Sequence, residues 1–195
     1  MQYEYGRIKV LADNLRKFGI EEGIVGRIME GGEAILKNTS PEKKAAWLGE
    51  AMCRMDALLD GKTRQAVREA CACCLGGQRL KAVKEIAEKH AGASINERIK
   101  AADGVKLVFG NAVNLRSDGS IQVRFQPDNQ GGYRCPCLPK ASEPISITYC
   151  YCCGGHVKHH LQIALGRSLK GTVQSSVLSS GGKKPCTFIF REEGH

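Results

Sequence analysis

Asn114–Leu115–Arg116–Ser117–Asp118–Gly119–Ser120–Ile121–Gln122–Val123–Arg124–Phe125 is where the hydrophobic period of this chain changes. Ile121, Val123 and Phe125 alternate with Gln122 and Arg124, the two-residue period of a strand with one face buried. Asp118–Gly119, lying between Leu115 and Ile121, predicts a tight hairpin whose two central residues take positive φ. The alternation of Val105, Leu107 and Phe109 extends the expectation of strand back to Gly104.

Upstream of Gly104 the period is helical. Ser40 can cap a helix with Pro41 in its first turn, where the missing N–H costs nothing, and Ala45, Leu48, Met52, Met55 and Leu59 form its apolar stripe towards Gly61. A second helix is expected over Lys62–Leu75, stopped by Gly76–Gly77. A third runs over Arg79–His90, with Leu80, Val83, Ile86 and Ala87 on one side. Ser94 and Glu97 have capping-box spacing for a short helix. Before Asn38 the pattern reads as a helix pair weakened by five glycines, Gly19, Gly23, Gly26, Gly31 and Gly32.

Downstream of the hairpin, residues 129–144 form a polar, glycine- and proline-bearing loop that carries Cys135–Pro136–Cys137. Ser146–Gly166 then reads as one long amphipathic helix, because Ile147, Cys150, Gly154, Val157, Leu161, Ala164 and Leu165 share a face. Two strands follow. Leu169, Gly171, Val173, Ser175 and Val177 point one way in the first, and Cys186, Phe188 and Phe190 in the second, across a turn between Ser179 and Lys184. The fold class expected is therefore α+β: a helical part, residues 1–103, packed on an antiparallel sheet with one long amphipathic helix, residues 104–195.

With 195 residues the chain can bury a core without disulfides, although it has ten cysteines. Glu4, Arg7 and Lys9 interrupt the first ten residues where a signal peptide needs an apolar run, so reduced thiols and a cytoplasmic location are expected. No stretch approaches the roughly 20 apolar residues of a membrane span. The net charge of +9 favours acidic partners. The charges are scattered, however, and aromatics make up only 6%, which argues against a base-stacking nucleic-acid platform. A small apolar or anionic molecule is the more natural partner, and a homodimer is compatible with this composition.

Eight of the ten cysteines fall into three short groups. Cys71 and Cys74, at i and i+3 of the expected helix, are spaced to chelate one ion, although small core residues would follow the same stripe. Cys73 points away from them. Cys135 and Cys137 flank a proline in a polar loop with no apolar periodicity to serve, which suits metal ligands or a redox couple. In Tyr149–Cys150–Tyr151–Cys152–Cys153–Gly154–Gly155–His156, Cys150 faces the core. Cys153, His156 and His160 align along one edge, and Cys152 and His159 lie further round. Cys53 and Cys186 read as buried, inert thiols. The candidate metal ligands are accordingly Cys71, Cys74, Cys135, Cys137, Cys150, Cys153 and His156.

That run, together with Leu161, Leu165–Gly166 and Pro185–Cys186–Thr187–Phe188, resembles the 4-vinyl-reductase-type domain, which includes sensor modules of bacterial regulators. Arg54–Met55–Asp56–Ala57–Leu58–Leu59–Asp60, with Arg64 and Cys71, resembles the helical segment that precedes such domains in prokaryotic proteins. The resemblance implies a glycine-containing helix followed by two strands, an enclosed apolar ligand, and zinc beside it on Cys152 or Cys153 and Cys186. Between Ser175 and Lys184 this chain has no Cys or Glu, so any metal needs other ligands.

No phosphate loop, Ser–His–Asp ordering or carboxylate pair is present, which leaves hydrolase and kinase readings without support. The expectation is a metal-containing protein, zinc first and an iron–sulfur cluster second, with a small-molecule-binding or sensing role. The alternative is a thiol-based redox enzyme. In either case a metal or a disulfide is expected to join cysteines of different groups.

Overall fold

The computed structural model describes residues 2–125 and 134–194. The helical part comprises α1 (Gly6–Lys17), α2 (Glu22–Ile28), α3 (Pro41–Leu58), α4 (Gly61–Ala70), α5 (Gly77–Lys89) and α6 (Ile95–Asp103). A single helical turn, α7 (Lys106–Phe109), leads into β1 (Ala112–Leu115) and β2 (Ile121–Phe125). α8 (Tyr151–Leu165), β3 (Leu169–Ser175) and β4 (Cys186–Glu192) complete the chain. The strands form one antiparallel sheet in the order β1-β2-β4-β3, as the α+β reading requires.

The caps behave as their side chains dictate. Ser40 Oγ accepts from Lys43 N, Asp60 Oδ1 from Thr63 N, and Ser94 and Glu97 complete a reciprocal capping box. The glycine-rich region before Asn38 does contain two helices, and buried Ile8, Leu11, Leu15, Val25 and Ile28 hold them on the core.

Three local expectations are corrected. Val105–Phe109 is a helical turn rather than a strand, with Phe109 N donating to Val105 O at 3.0 Å. Gly110, at φ +70, then reverses the chain so that Asn111 N can reach Arg124 O at 2.9 Å. The hairpin uses three loop residues. Arg116 N donates to Ser120 O, Gly119 alone has positive φ, and Asp118 instead accepts from Ser120 N and Oγ at 3.0 and 2.6 Å. α4 ends at Ala70, five residues before the expected stop, so Cys71 and Cys74 do not share a helical turn. Cys74 takes φ 61.

The long C-terminal helix begins as a 3-10 turn, Ile147–Cys150, capped by Ser146 Oγ on Thr148 N, and ends at Gly166 in the left-handed region. α8 is buried on two sides. Val157, Leu161, Ala164 and Leu165 join the continuous core that also includes Val67, Val83, Val173, Phe188 and Phe190. Gly154 faces β3, where an added Cβ would lie 3.4 Å from Val173 Cγ2. Gly155 faces α4, where a Cβ would lie 2.9 Å from Glu69 Cα and closer still to Glu69 O. α4 and α8 thus approach at backbone distance. The contact is extended by Lys158 on Glu69, by Gln65 donating to Glu69 Oε1, and by Gln65 donating to Gly171 O at 2.6 Å.

Gly155→Ala is therefore expected to destabilise the protein by about 2 kcal/mol, the steric cost exceeding the gain in helix propensity of about 1 kcal/mol. Gly26→Ala in α2, whose Cβ would meet nothing within 4 Å, is expected to stabilise it by about 0.5–1 kcal/mol. Urea unfolding midpoints of the two variants check both signs.

Candidate functional site: a thiol centre beside an arginine-lined cleft

The close approach of α4 and α8 sets the end of one against the start of the other. Cys71 to Cys74 follow α4, and Cys152 and Cys153 occupy the first turn of α8. Cys135 and Cys137 come from the 134–144 segment, which has no regular element and lays Cys137 against both α1 and α8. The part of the predicted 129–144 loop before residue 134 lies outside the described residues.

Cys137 Sγ and Cys153 Sγ lie 4.0 Å apart, 16 residues apart in sequence. Cys135 lies beside Cys137 and Cys152 beside Cys153, so the four thiols are neighbours, with Cys137–Cys153 as the sulfur–sulfur contact between separate segments. Arg7 of α1 donates to Cys137 O, and its Nη1 is 3.4 Å from Tyr149 Oη. Hydrogen bonds from Cys135 and Cys153, then the charge of Arg7, hold the Cys137 thiol far below its ordinary value despite partial burial. Cys135 is raised correspondingly, first by giving its hydrogen bond to Cys137. Cys152 is drawn down to about 7 by a hydrogen bond from Cys153, then by Arg68. Cys153 has a single S–H and can serve only one of these neighbours. Cys137, with a second donor and Arg7 beside it, is the better acceptor, so the thiolate resides there.

A cleft of about 140 Å³ opens next to this set, lined by Arg7, Val10, Leu48, Arg68, Cys71, Cys73, Cys137, Tyr149 and Cys152 among others. Arg68 is 4% exposed. Its Nη2 donates to Tyr149 O at 3.0 Å and its guanidinium lies 4.9 Å from the Tyr149 ring centre, while its Nε has no partner among the described residues.

The candidates read from the sequence do not all come together. Cys135, Cys137 and Cys153 come together, and Cys152, which the helical wheel put aside, joins them because α4 covers that side of α8. Cys71 is apart from them, donating to Val67 O at 3.2 Å and accepting from Asn14 Nδ2 at 3.6 Å. Cys74 is exposed, 3.7 Å from Cys73. Cys150 turns to the other side of α8, towards Ser176 and Cys186, and burial raises it to about 12.

His156 Nδ1 donates to Cys73 O at 3.0 Å, which ties the first cysteine group to α8, and burial followed by the nearness of His160 lowers its pKa to about 4. His160 is fully buried, its Nδ1 donates to His156 O at 2.9 Å, and its Nε2 has no partner among the described residues. Cys53 is exposed on α3, contrary to the packing role expected of it, and Cys186 is half-buried, its Sγ accepting from Val177 N at 3.4 Å. Among the described residues no group of three or more His, Cys, Asp or Glu side chains is placed to hold a metal ion. No helix among them is long and apolar enough to cross a membrane.

Residues 7–186 match the family described as "Family of unknown function (DUF6144)", and the chain belongs to it. No curated protein and no solved structure matches the chain.

Alkylation of Cys137 by iodoacetamide, followed by peptide mass spectrometry, is expected to keep most of its rate between pH 8.5 and pH 6. A thiol at the ordinary value of about 8.5 would slow about a hundredfold over the same range.

Proposed function

We propose that Cys137 and Cys153 are a dithiol–disulfide couple in which Cys137 is the attacking thiolate and Cys153 the resolving thiol. The observation that supports this most directly is the 4.0 Å approach of two sulfurs from separate segments, next to a cleft with Arg7 on Cys137. Closing to a disulfide bond of about 2.05 Å needs a movement of about 2 Å in all, which a loop cysteine can supply. The Cys137 sulfur attacks one sulfur of a disulfide-class oxidant, whose S–S bond breaks and whose other sulfur leaves as a thiolate. Cys153 then gives up its proton and attacks Cys137 Sγ, expelling the second sulfur of the oxidant. The pair loses two electrons and the oxidant gains them.

A second reading is soft-metal binding on Cys135, Cys137, Cys152 and Cys153, zinc first and an iron–sulfur cluster next. The neighbouring thiols favour it. Sulfurs about 2.3 Å from a tetrahedral zinc are about 3.8 Å from one another, close to the separation of Cys137 and Cys153. Modest side-chain rotations would have to bring the other sulfurs onto the same point. The likeness of residues 149–188 to 4-vinyl-reductase-type domains belongs with this reading, since it implies a ligand-holding or sensing role with zinc at Cys152 or Cys153 and Cys186.

Anaerobic purification followed by elemental analysis and thiol counting separates the two. The couple predicts no stoichiometric metal, ten titratable thiols in the unfolded protein, and loss of one pair on treatment with oxidised glutathione, recovered as a Cys137–Cys153 cross-linked peptide. Stoichiometric zinc or iron, with thiols that become titratable only after a chelator, contradicts the couple and supports the metal.

A further inference from the structure

We infer that the cleft between α1, the end of α4 and Cys137 binds a small anion, a carboxylate or an inorganic oxyanion, which is the charged part of what the thiol centre acts on. The substrate class depends on the dithiol reading above; the anion site itself rests only on the cleft. Two guanidiniums line it, those of Arg7 and Arg68, and no Asp or Glu does. Among the described residues neither arginine forms an ion pair with a carboxylate.

Arg68 is the more telling of the two. A guanidinium taken out of water is costly unless negative charge or a full set of acceptors faces it, and this one keeps an unpartnered Nε. The groups closest to it in charge are Cys152, Cys71 and Tyr149. Burial holds Cys71 and Tyr149 neutral, so they do not balance it. With two guanidiniums and no carboxylate in its lining, the cleft offers positive charge that a small anion would neutralise.

Size and shape define the ligand further. A cavity of about 150 Å³ accommodates benzene, so about 140 Å³ holds a group of about six heavy atoms. Guanidinium forks match the paired oxygens of carboxylates and oxyanions. Arg7 is exposed at the mouth, where the remainder of a larger molecule would project, and the overall charge of +9 draws anions towards the protein.

Competition between iodoacetate and iodoacetamide on the intact protein tests this. Both reagents react identically, the thiolate sulfur forming a bond to carbon as the C–I bond breaks and iodide leaves. The ratio of carboxymethyl to carbamidomethyl product at one cysteine therefore reports the charge of its surroundings and cancels its pKa and exposure. The ratio at Cys73 and Cys137, which line the cleft, is expected to exceed that at exposed Cys53 on α3 by about fivefold, the upper range for one partly solvated charge pair. Arg7→Gln, a change at an exposed position, should bring it down towards the Cys53 value. Acetate or phosphate should suppress carboxymethylation at Cys73, acetate marking a carboxylate site and phosphate an oxyanion site. Equal ratios at Cys73 and Cys53, unmoved by Arg7→Gln and by both anions, would overturn the inference. If Cys137 reacts with neither reagent the dithiol reading fails, and the Cys73 ratio still decides the anion site.

Discussion

Gly155 lets α8 rest on the backbone of α4, and most of what is distinctive here depends on that contact. A side chain at this position would meet Glu69 main-chain atoms, so the two helices can be this close only where one of them lacks a Cβ. Gly154, one position back, faces β3 less tightly, since a Cβ there would lie 3.4 Å from the Val173 side chain rather than against backbone. The helix is thereby held between the helical part and the sheet, and its first turn is fixed against the segment that leaves α4. A glycine pair in a helix interior costs about 1 kcal/mol per residue in propensity. Here that loss is offset by dispersion contacts and by the buried faces of three elements.

The same contact explains the electrostatics of the thiol centre. Arg68, one residue before Glu69, is carried into the interior beneath the 3-10 turn, where Tyr149 O and the Tyr149 ring receive it. Arg7 reaches the centre from α1 and holds the carbonyl of Cys137. Two cations that approach from the helical part therefore meet thiols that approach from the loop and from α8. Positive charge and donated hydrogen bonds lower a thiol whereas burial alone raises it, which is why Cys137 and Cys150, each a single chain segment from the same helix start, behave in opposite ways.

Much of the fold could be read directly from the chain. Ser40–Pro41, Asp60 and Ser94 with Glu97 carry local capping chemistry, and the alternation of Ile121, Val123 and Phe125 is independent of tertiary context. Val105–Phe109 misled because its alternating apolar residues imitate a strand, whereas the helical turn buries the adjacent pair Val108 and Phe109 and leaves Leu107 exposed. The site was legible only in part. Cys135, Cys137 and Cys153 stood out because their loop and helix-edge positions serve no apolar stripe. Cys152 did not, because a helical wheel measures angle on one helix and cannot register that α4 covers a second face. Cys71 and Cys150 lie on the stripe that points to the core, and that bland reading describes them. Arg7 and Arg68 carried no signal at all: an arginine in a helix pattern looks like solvated surface until a partner 81 residues away, Tyr149, is seen to hold it.

The account depends on Cys137 and Cys153 exchanging electrons as a unit, and a titration in glutathione redox buffers measures that directly. The protein, equilibrated across the glutathione ratio and trapped by acid, should show one cooperative two-electron transition in free-thiol content, abolished alike in Cys137→Ser and in Cys153→Ser. A thiol content that does not change across the series, or a transition that survives both substitutions, would contradict it.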